Sequence, residues 1–204
     1  MFKQLTITLL ITGLCFASFG QMRGAPLLAD SVARQILETA KLDFPKFYKA
    51  VNEVKTQDTL VKQIRFIEVA SAGPAAASQK GIITINLSFI SSPRSAYNDN
   101  RLIVVLYHEV GHLHYHEKAG VDKRNPEDNE KAAFEYSLLK TKQIAEDGDC
   151  LPLLTGLKFM KLRSESNNLK DPHVRALKKM IAEPLYSSYV AYVQAHCKTH
   201  PKMQ

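Results

Sequence analysis

Tyr107-His108-Glu109-Val110-Gly111-His112 is the stretch around which the rest of the sequence organises itself. At about 100° per residue on an α-helix, His108 and His112 stand one turn apart on the same face, so both imidazoles can reach a single ion. Glu109 points about 100° away from His108, which sets its carboxylate beside that ion as a base for a water, not as a ligand. The plain alternative is a pair of core histidines that only satisfy hydrogen bonds. An HExxH pentad on one helix favours the metal.

Outward from this stretch, Asn98 or Asp99 caps a long helix running to about His116, apolar on nearly every side and therefore expected at the centre of the molecule. Upstream, Ile64 to Val69 and Ile82 to Leu87 are β-branched runs that predict two strands, with Ala70 to Ser78 as the loop between them. Helices are predicted for Ser31 to Leu42, after an Asp30 or Ser31 cap, and for Pro45 to Val54. Downstream, Asn125-Pro126 opens a helix that Asp147-Gly148-Asp149 ends, and Asp171-Pro172 opens helical chain to His196, bent at Pro184. The pattern predicts an α+β fold: a short β-sheet packed on a central HExxH helix, followed by a helical C-terminal part.

A catalytic zinc site needs a third protein ligand and an open position. The nearby candidates are His116, Glu117, Glu127, Asp128, Glu130 and Glu135. On the helix from Pro126, Ala133, Phe134, Leu138, Ile144 and Ala145 form an apolar stripe with Glu130 near its centre, while Asp128 and Glu135 project to the other side. A carboxylate on a buried face needs a partner, and Zn2+ would supply it. Glu130 lies 18 residues past His112, enough for the chain to turn back antiparallel. Glu127, at the stripe's edge in the first turn, is the second choice, because the helix dipole already accounts for it. His116 continues the His108–His112 face near the helix end, where the dipole is its plainer use, and His114 reads as a surface residue.

Composition narrows the context. Hydrophobic residues make up 45% and charged residues 23%, which argues for a folded domain. The net charge is +7, but the lysines and arginines are dispersed, so no nucleic-acid partner is expected. The run Lys158, Lys161, Arg163, Lys170, Arg175, Lys178 and Lys179 reads as a solvated face. Met1-Phe2-Lys3, the apolar Leu5 to Phe19 and the small residues Ser18 and Gly20 predict a signal peptide over 1–20. Its apolar run of about 15 residues is short of the roughly 20 a spanning helix needs, so no stable membrane span is expected after cleavage. Residues 21–204 then form a single domain, secreted or periplasmic. Cys15 leaves with the leader, and Cys150 and Cys197 are expected to pair in an oxidising compartment. Closing that loop is worth about 4 kcal/mol in the chain-entropy model. Gln21 to Leu60 reads equally as part of the domain or as a removable prosegment.

His108-Glu109-Val110-Gly111-His112 followed by Glu130 resembles the gluzincin class of zinc metallopeptidases. The local wording, with His116 four residues past the second His and Glu130 followed by Phe134, Leu138 and Leu139, is most similar to the ImmA/IrrE family, and also resembles soluble HtpX-like peptidases. The likeness spans about 60 residues, Ile82 to Leu139. It departs from those families in carrying a leader and in having Ala132 or Phe134 where they place an Asn or Asp.

The resemblance implies a zincin-like domain that hydrolyses peptide bonds in peptide or protein substrates. His108, His112 and Glu130 would hold Zn2+, with Glu109 as general base. A distant His, Tyr or Arg would stabilise the oxyanion. His173 and Arg175 are the first candidates, with Tyr186, Tyr189 and Tyr192 also on the C-terminal helices. The extended substrate is expected to pair with an edge strand around Ile83 to Leu87. A non-hydrolytic zinc-binding sensor or interaction module is the rival reading.

Overall fold

The computed structural model describes residues 25–119 and 125–197. The expected leader over 1–20 lies outside the described residues. Ile82–Asn86 (β3) alternates in burial, and its inward Ile83 and Ile85 seed the core. Gln63–Ile67 (β1) lies parallel to β3 with Phe66 opposite Ile85. A third strand, Ala75–Ser78 (β2), runs antiparallel to β3 on its other side, with Ala77 opposite Ile83. The order is therefore β1-β3-β2. Two expectations change. The Ala70 to Ser78 segment is not all loop, and the Ile83 to Leu87 strand is not an edge but the middle of the sheet. Among the described residues no further strand pairs with β2, so the edge beside the central helix is β2.

Helices Asp30–Ala40 (α1) and Pro45–Gln57 (α2) precede the sheet, and a short turn, Ser88–Ser91 (α3), follows it. Asp99–Ala119 (α4) is the long HExxH helix, with Asn98 accepting from the Arg101 N–H at its start. Residues 101–104 and 106–113 are buried without a gap, which is why no solvent face shows in its sequence. Asp99 reaches back to accept from the backbone N–H groups of Lys46 and Phe47, tying the start of α2 to α4. Phe47, Val51 and Val54 of α2 share one core with Ile83, Ile85, Leu106 and Val110. The described part of Gln21 to Leu60 is thus built into the core.

Pro126–Glu146 (α5) begins at an Asn125 cap that accepts from the Glu127 N–H. A second core, with Phe134, Leu138, Leu153, Leu157, Met160, Leu177 and Val193, holds α5 to the C-terminal helices. These are Leu151–Ser164 (α6), Pro172–Ile181 (α7) and Pro184–His196 (α8). The expected single bent helix from Asp171 to His196 is two helices. Pro184 has no N–H to continue the first, and Glu183 is extended (φ −90°, ψ 150°). Cys150 and Cys197 are joined, with Cα atoms 5.9 Å apart, linking the start of α6 to the end of α8. Among the described residues no helix is long and apolar enough to cross a membrane.

Candidate metal centre

Gly111 is the reason α4 and α5 can lie so close. A Cβ at that position would fall 2.7 Å from Ala133 Cα and 2.9 Å from Tyr136 Cβ, inside contact distance. With the two backbones pressed together, Glu130 reaches under both histidines of the pentad. Its Oε2 lies 3.2 Å from His108 Nε2 and 3.7 Å from His112 Nε2. From α7, His173 Nε2 approaches the same oxygen to 3.1 Å. Three imidazole nitrogens thus converge on one carboxylate oxygen, and His108, His112, Glu109 and Glu130 are all buried.

The ring orientations are held from behind. Asn129 Oδ1 lies 2.9 Å from His112 Nδ1, and Asp171 Oδ1 lies 3.0 Å from His173 Nδ1. Each contact takes the outer nitrogen and leaves Nε2 facing the cluster. Asp171 also caps α7 through the His173 N–H and pairs with Arg163. His108 differs: Phe134 packs on its ring, with centroids 4.3 Å apart.

Electrostatics separate the roles. Burial, and then the charge of Glu130, push the Glu109 carboxyl up to about 8. Burial would also raise Glu130, yet its contact with His108 and the charges of the three histidines hold it at about 2. Burial, and then His108, bring His112 down to about 4, so it is a neutral imidazole with a lone pair to offer. For His173, burial opposes the charge but Asp171 and Glu130 outweigh it, and its pKa is raised.

A metal fits this donor set. Among the described residues His112 Nε2, Glu130 Oε2 and Glu109 Oε2 are buried without hydrogen-bond partners. Such atoms cost free energy unless something satisfies them, and a cation accepting imidazole and carboxylate donors would do so. His108, Glu109 and His112, and likewise His108, Glu130 and His173, offer ligand atoms within 4.8 Å of one another. Neutral imidazoles with one carboxylate are the donors zinc takes in catalytic sites.

The other candidates fall elsewhere. Glu127 is held by Arg175, whose Nε lies 2.9 Å from its Oε2, so neither joins the cluster. Asp128 faces Lys179, and Glu135 binds Lys131. His116 lines a separate hollow with Lys62 and Glu117. Tyr186 donates to the Leu157 carbonyl in the core, Tyr189 is buried with it, and Tyr192 packs against Lys142 and His196. His114 is not simply a surface residue: it is bound to Asp58. Arg163 departs from its solvated neighbours and turns inward to Asp171.

Sequence reasoning missed Asn129 and Asp171 as orienting groups. Asp171-x-His173 spacing was the available signal for one, and the Asn immediately before Glu130 for the other.

Beside the cluster, a cavity of about 160 Å³ opens between the β2 entry loop and α6. Gly73 and Pro74 form its rim, fixed by Asn86, whose side chain bonds the Val69 N–H and the Val69 and Gly73 carbonyls. Compared with protein-family models, with curated proteins and with solved structures, the chain matches none.

Proposed function

We propose that the chain is a zinc-dependent metallopeptidase of the gluzincin type, acting outside the cytosol. One observation carries the reading: His108, His112 and Glu130 direct ligand atoms to one buried point, with the Glu109 carboxyl, whose Oε2 has no hydrogen-bond partner, beside it. Those three residues would hold the ion. Zinc bound there would supply Lewis acidity, acidifying a water and polarising a substrate carbonyl.

Glu109 takes the proton of the attacking water and delivers it to the leaving amine. A buried carboxyl that is readily protonated suits both halves of that task. His173, held by Asp171 and favouring its charged form, points Nε2 inward to donate to the negative charge that develops on the carbonyl oxygen. The outer edge of β2 adjoins the cavity through Ala75 and offers backbone groups to an extended peptide.

A structural zinc site has four protein ligands and no use for a base, so Glu109 weighs against a non-catalytic module. The apolar Phe134 behind His108 is the observation that favours such a module. Purified mature protein is expected to hold about one zinc per chain. Glu109→Gln should keep that zinc and lose at least about 10²-fold in kcat on unfolded peptides. A zinc-loaded wild type that cuts no member of a broad peptide library would transfer the argument to the module.

A further inference from the structure

Asp171-Pro172-His173 does two things at once at the start of α7. Asp171 accepts from the His173 N–H as the cap, and Pro172 fixes the first helical residue, so local geometry sets where the His173 side chain begins. The same carboxylate takes Nδ1 at 3.0 Å and leaves Nε2 facing the cluster. A histidine that ligates a metal almost always gives its other ring nitrogen to a carboxylate, a carbonyl or water. By that rule His173 is supported as a ligand as well as His112, and better than His108, whose Nδ1 has no hydrogen-bond partner. Distance agrees. His173 Nε2 lies 3.1 Å from Glu130 Oε2, against 3.2 Å for His108 and 3.7 Å for His112. His108, Glu130 and His173 also offer ligand atoms within 4.8 Å of one another.

We infer that His173 is a fourth ligand of the resting metal, beside His108, His112 and Glu130, and the one that substrate displaces. This rests on the metallopeptidase reading and gives its site a closed state. Four protein ligands leave no open position, whereas catalysis needs one. Of the four, His173 is placed to leave. Its side chain is 30% exposed, against 10% for His108, 6% for His112 and 9% for Glu130. The two α4 histidines and Glu130 stand on helices whose backbones meet at Gly111, while His173 sits in the first turn of α7, straight after the connecting residues 165–171. It also lines the cavity of about 160 Å³ beside the cluster. A space of that size takes a benzene-sized group, enough for a displaced imidazole. The proton that Asp171 and Glu130 favour on this ring is one a metal displaces on binding, so the donating role described above belongs to the displaced ring.

The first test loads the purified mature protein with cobalt(II) in place of zinc, because a paramagnetic ion shifts the ring N–H protons of its imidazole ligands far outside the ordinary proton range. The outer nitrogens of His108, His112 and His173 are buried or hydrogen-bonded, which slows their exchange with water. Three shifted N–H signals are expected, and two in His173→Ala. Two signals in the wild type overturn the fourth ligand. That count needs no variant, so a poorly folding His173→Ala leaves the test intact. Zinc affinity, read by competition with a chromophoric chelator, should fall more than about 100-fold in His173→Ala, beyond the cost of losing a group that only orients a ligand. Unchanged affinity overturns the fourth ligand and leaves the zinc peptidase standing.

The second test reads the displacement with azide, a small anion that occupies open metal positions. It should bind the cobalt form of His173→Ala at lower concentration than the wild type, and in the wild type its binding should extinguish the third N–H signal. Equal binding to both proteins with the third signal kept overturns the closed state. A third signal that azide extinguishes, in a protein that cuts no peptide, supports the displaceable ligand and removes the peptidase. A chain that takes up neither ion removes both.

Discussion

Helix α4 carries two histidine clusters on opposite sides, and they are built to opposite rules. On one side His108 and His112 meet Glu130 and His173 at 3.1 to 3.7 Å with buried atoms left unpartnered. On the other, His114 is bound to Asp58 at 2.9 Å, stacks on Tyr136, and sends part of its ring to solvent. Tyr136 donates to the same Asp58 oxygen, completing the set. The residue type and the helix are the same. The second cluster is satisfied as it stands and pins α4 to the end of α2, whereas the first keeps buried polar atoms without hydrogen-bond partners.

The sharpest way to break that contrast is to remove the shared carboxylate. Glu130→Ala should abolish stoichiometric zinc binding, while Glu127→Ala, which severs only the pair with Arg175, should keep it, as read by elemental analysis after dialysis. Zinc retained in Glu130→Ala and lost in Glu127→Ala would move the third ligand to the exposed end of α5.

Next in size is Gly111→Ala. The new methyl meets the Ala133 backbone at 2.7 Å, so α5 must shift, at a cost of about 1–3 kcal/mol for overpacking. Alanine's better helix propensity returns at most about 1 kcal/mol. Denaturant midpoints and zinc affinity should fall together, because the shift carries Glu130 away from the histidines. A stable variant with unchanged zinc affinity would show the close approach to be incidental.

Asn129→Ala tests the support behind the site. Loss of a group that orients a metal-binding His generally weakens affinity about 10- to 100-fold, and competition with a chromophoric chelator would read that drop. Unchanged affinity would mean that packing alone sets the His112 ring.

The smallest effect belongs to the satisfied cluster. His114→Ala should cost under about 1 kcal/mol, as for a part-exposed ion pair, and leave zinc content untouched. Burial raises the Asp58 pKa, but its bonds to His114 and the Leu60 N–H bring it below 3.8. A lowered carboxyl stabilises the fold above its unfolded value and loses that contribution as pH falls through the folded one. The melting curves of wild type and variant should therefore differ above pH 3.8 and converge as the pH falls well below it. A gap that persists in acid would assign the effect to ring packing.

The HExxH helix and the inward placing of Glu130 were legible because both depend on helical periodicity: two histidines one turn apart, and a carboxylate centred in an apolar stripe. What escaped depends on tertiary pairing. Ala75-Ala76-Ala77-Ser78 has no β-branched residue, and becomes a strand because β3 lies alongside it. Helix α6 is apolar around most of its circumference, with Leu153, Leu154, Leu157 and Met160 buried, so no stripe marked it, although Pro152 stands in its first turn. The Asn129 contact needs α4 and α5 side by side before it exists, whereas the Asp171–His173 contact is local and its spacing was there to be read.

The link between Cys150 and Cys197 encloses α6, α7 and α8 in one covalent ring, and that ring carries Arg163, Asp171 and His173. His173 and its supporting groups therefore travel as a tethered unit, while His108, Glu109, His112 and Glu130 lie outside it. Fraying that begins at the C-terminus meets a closed loop before it reaches His173, so the helix bearing that residue opens only by detaching its whole ring from α5. In a compartment exposed to proteases, such a ring makes the integrity of the site depend on one cooperative opening instead of on the stability of each short helix.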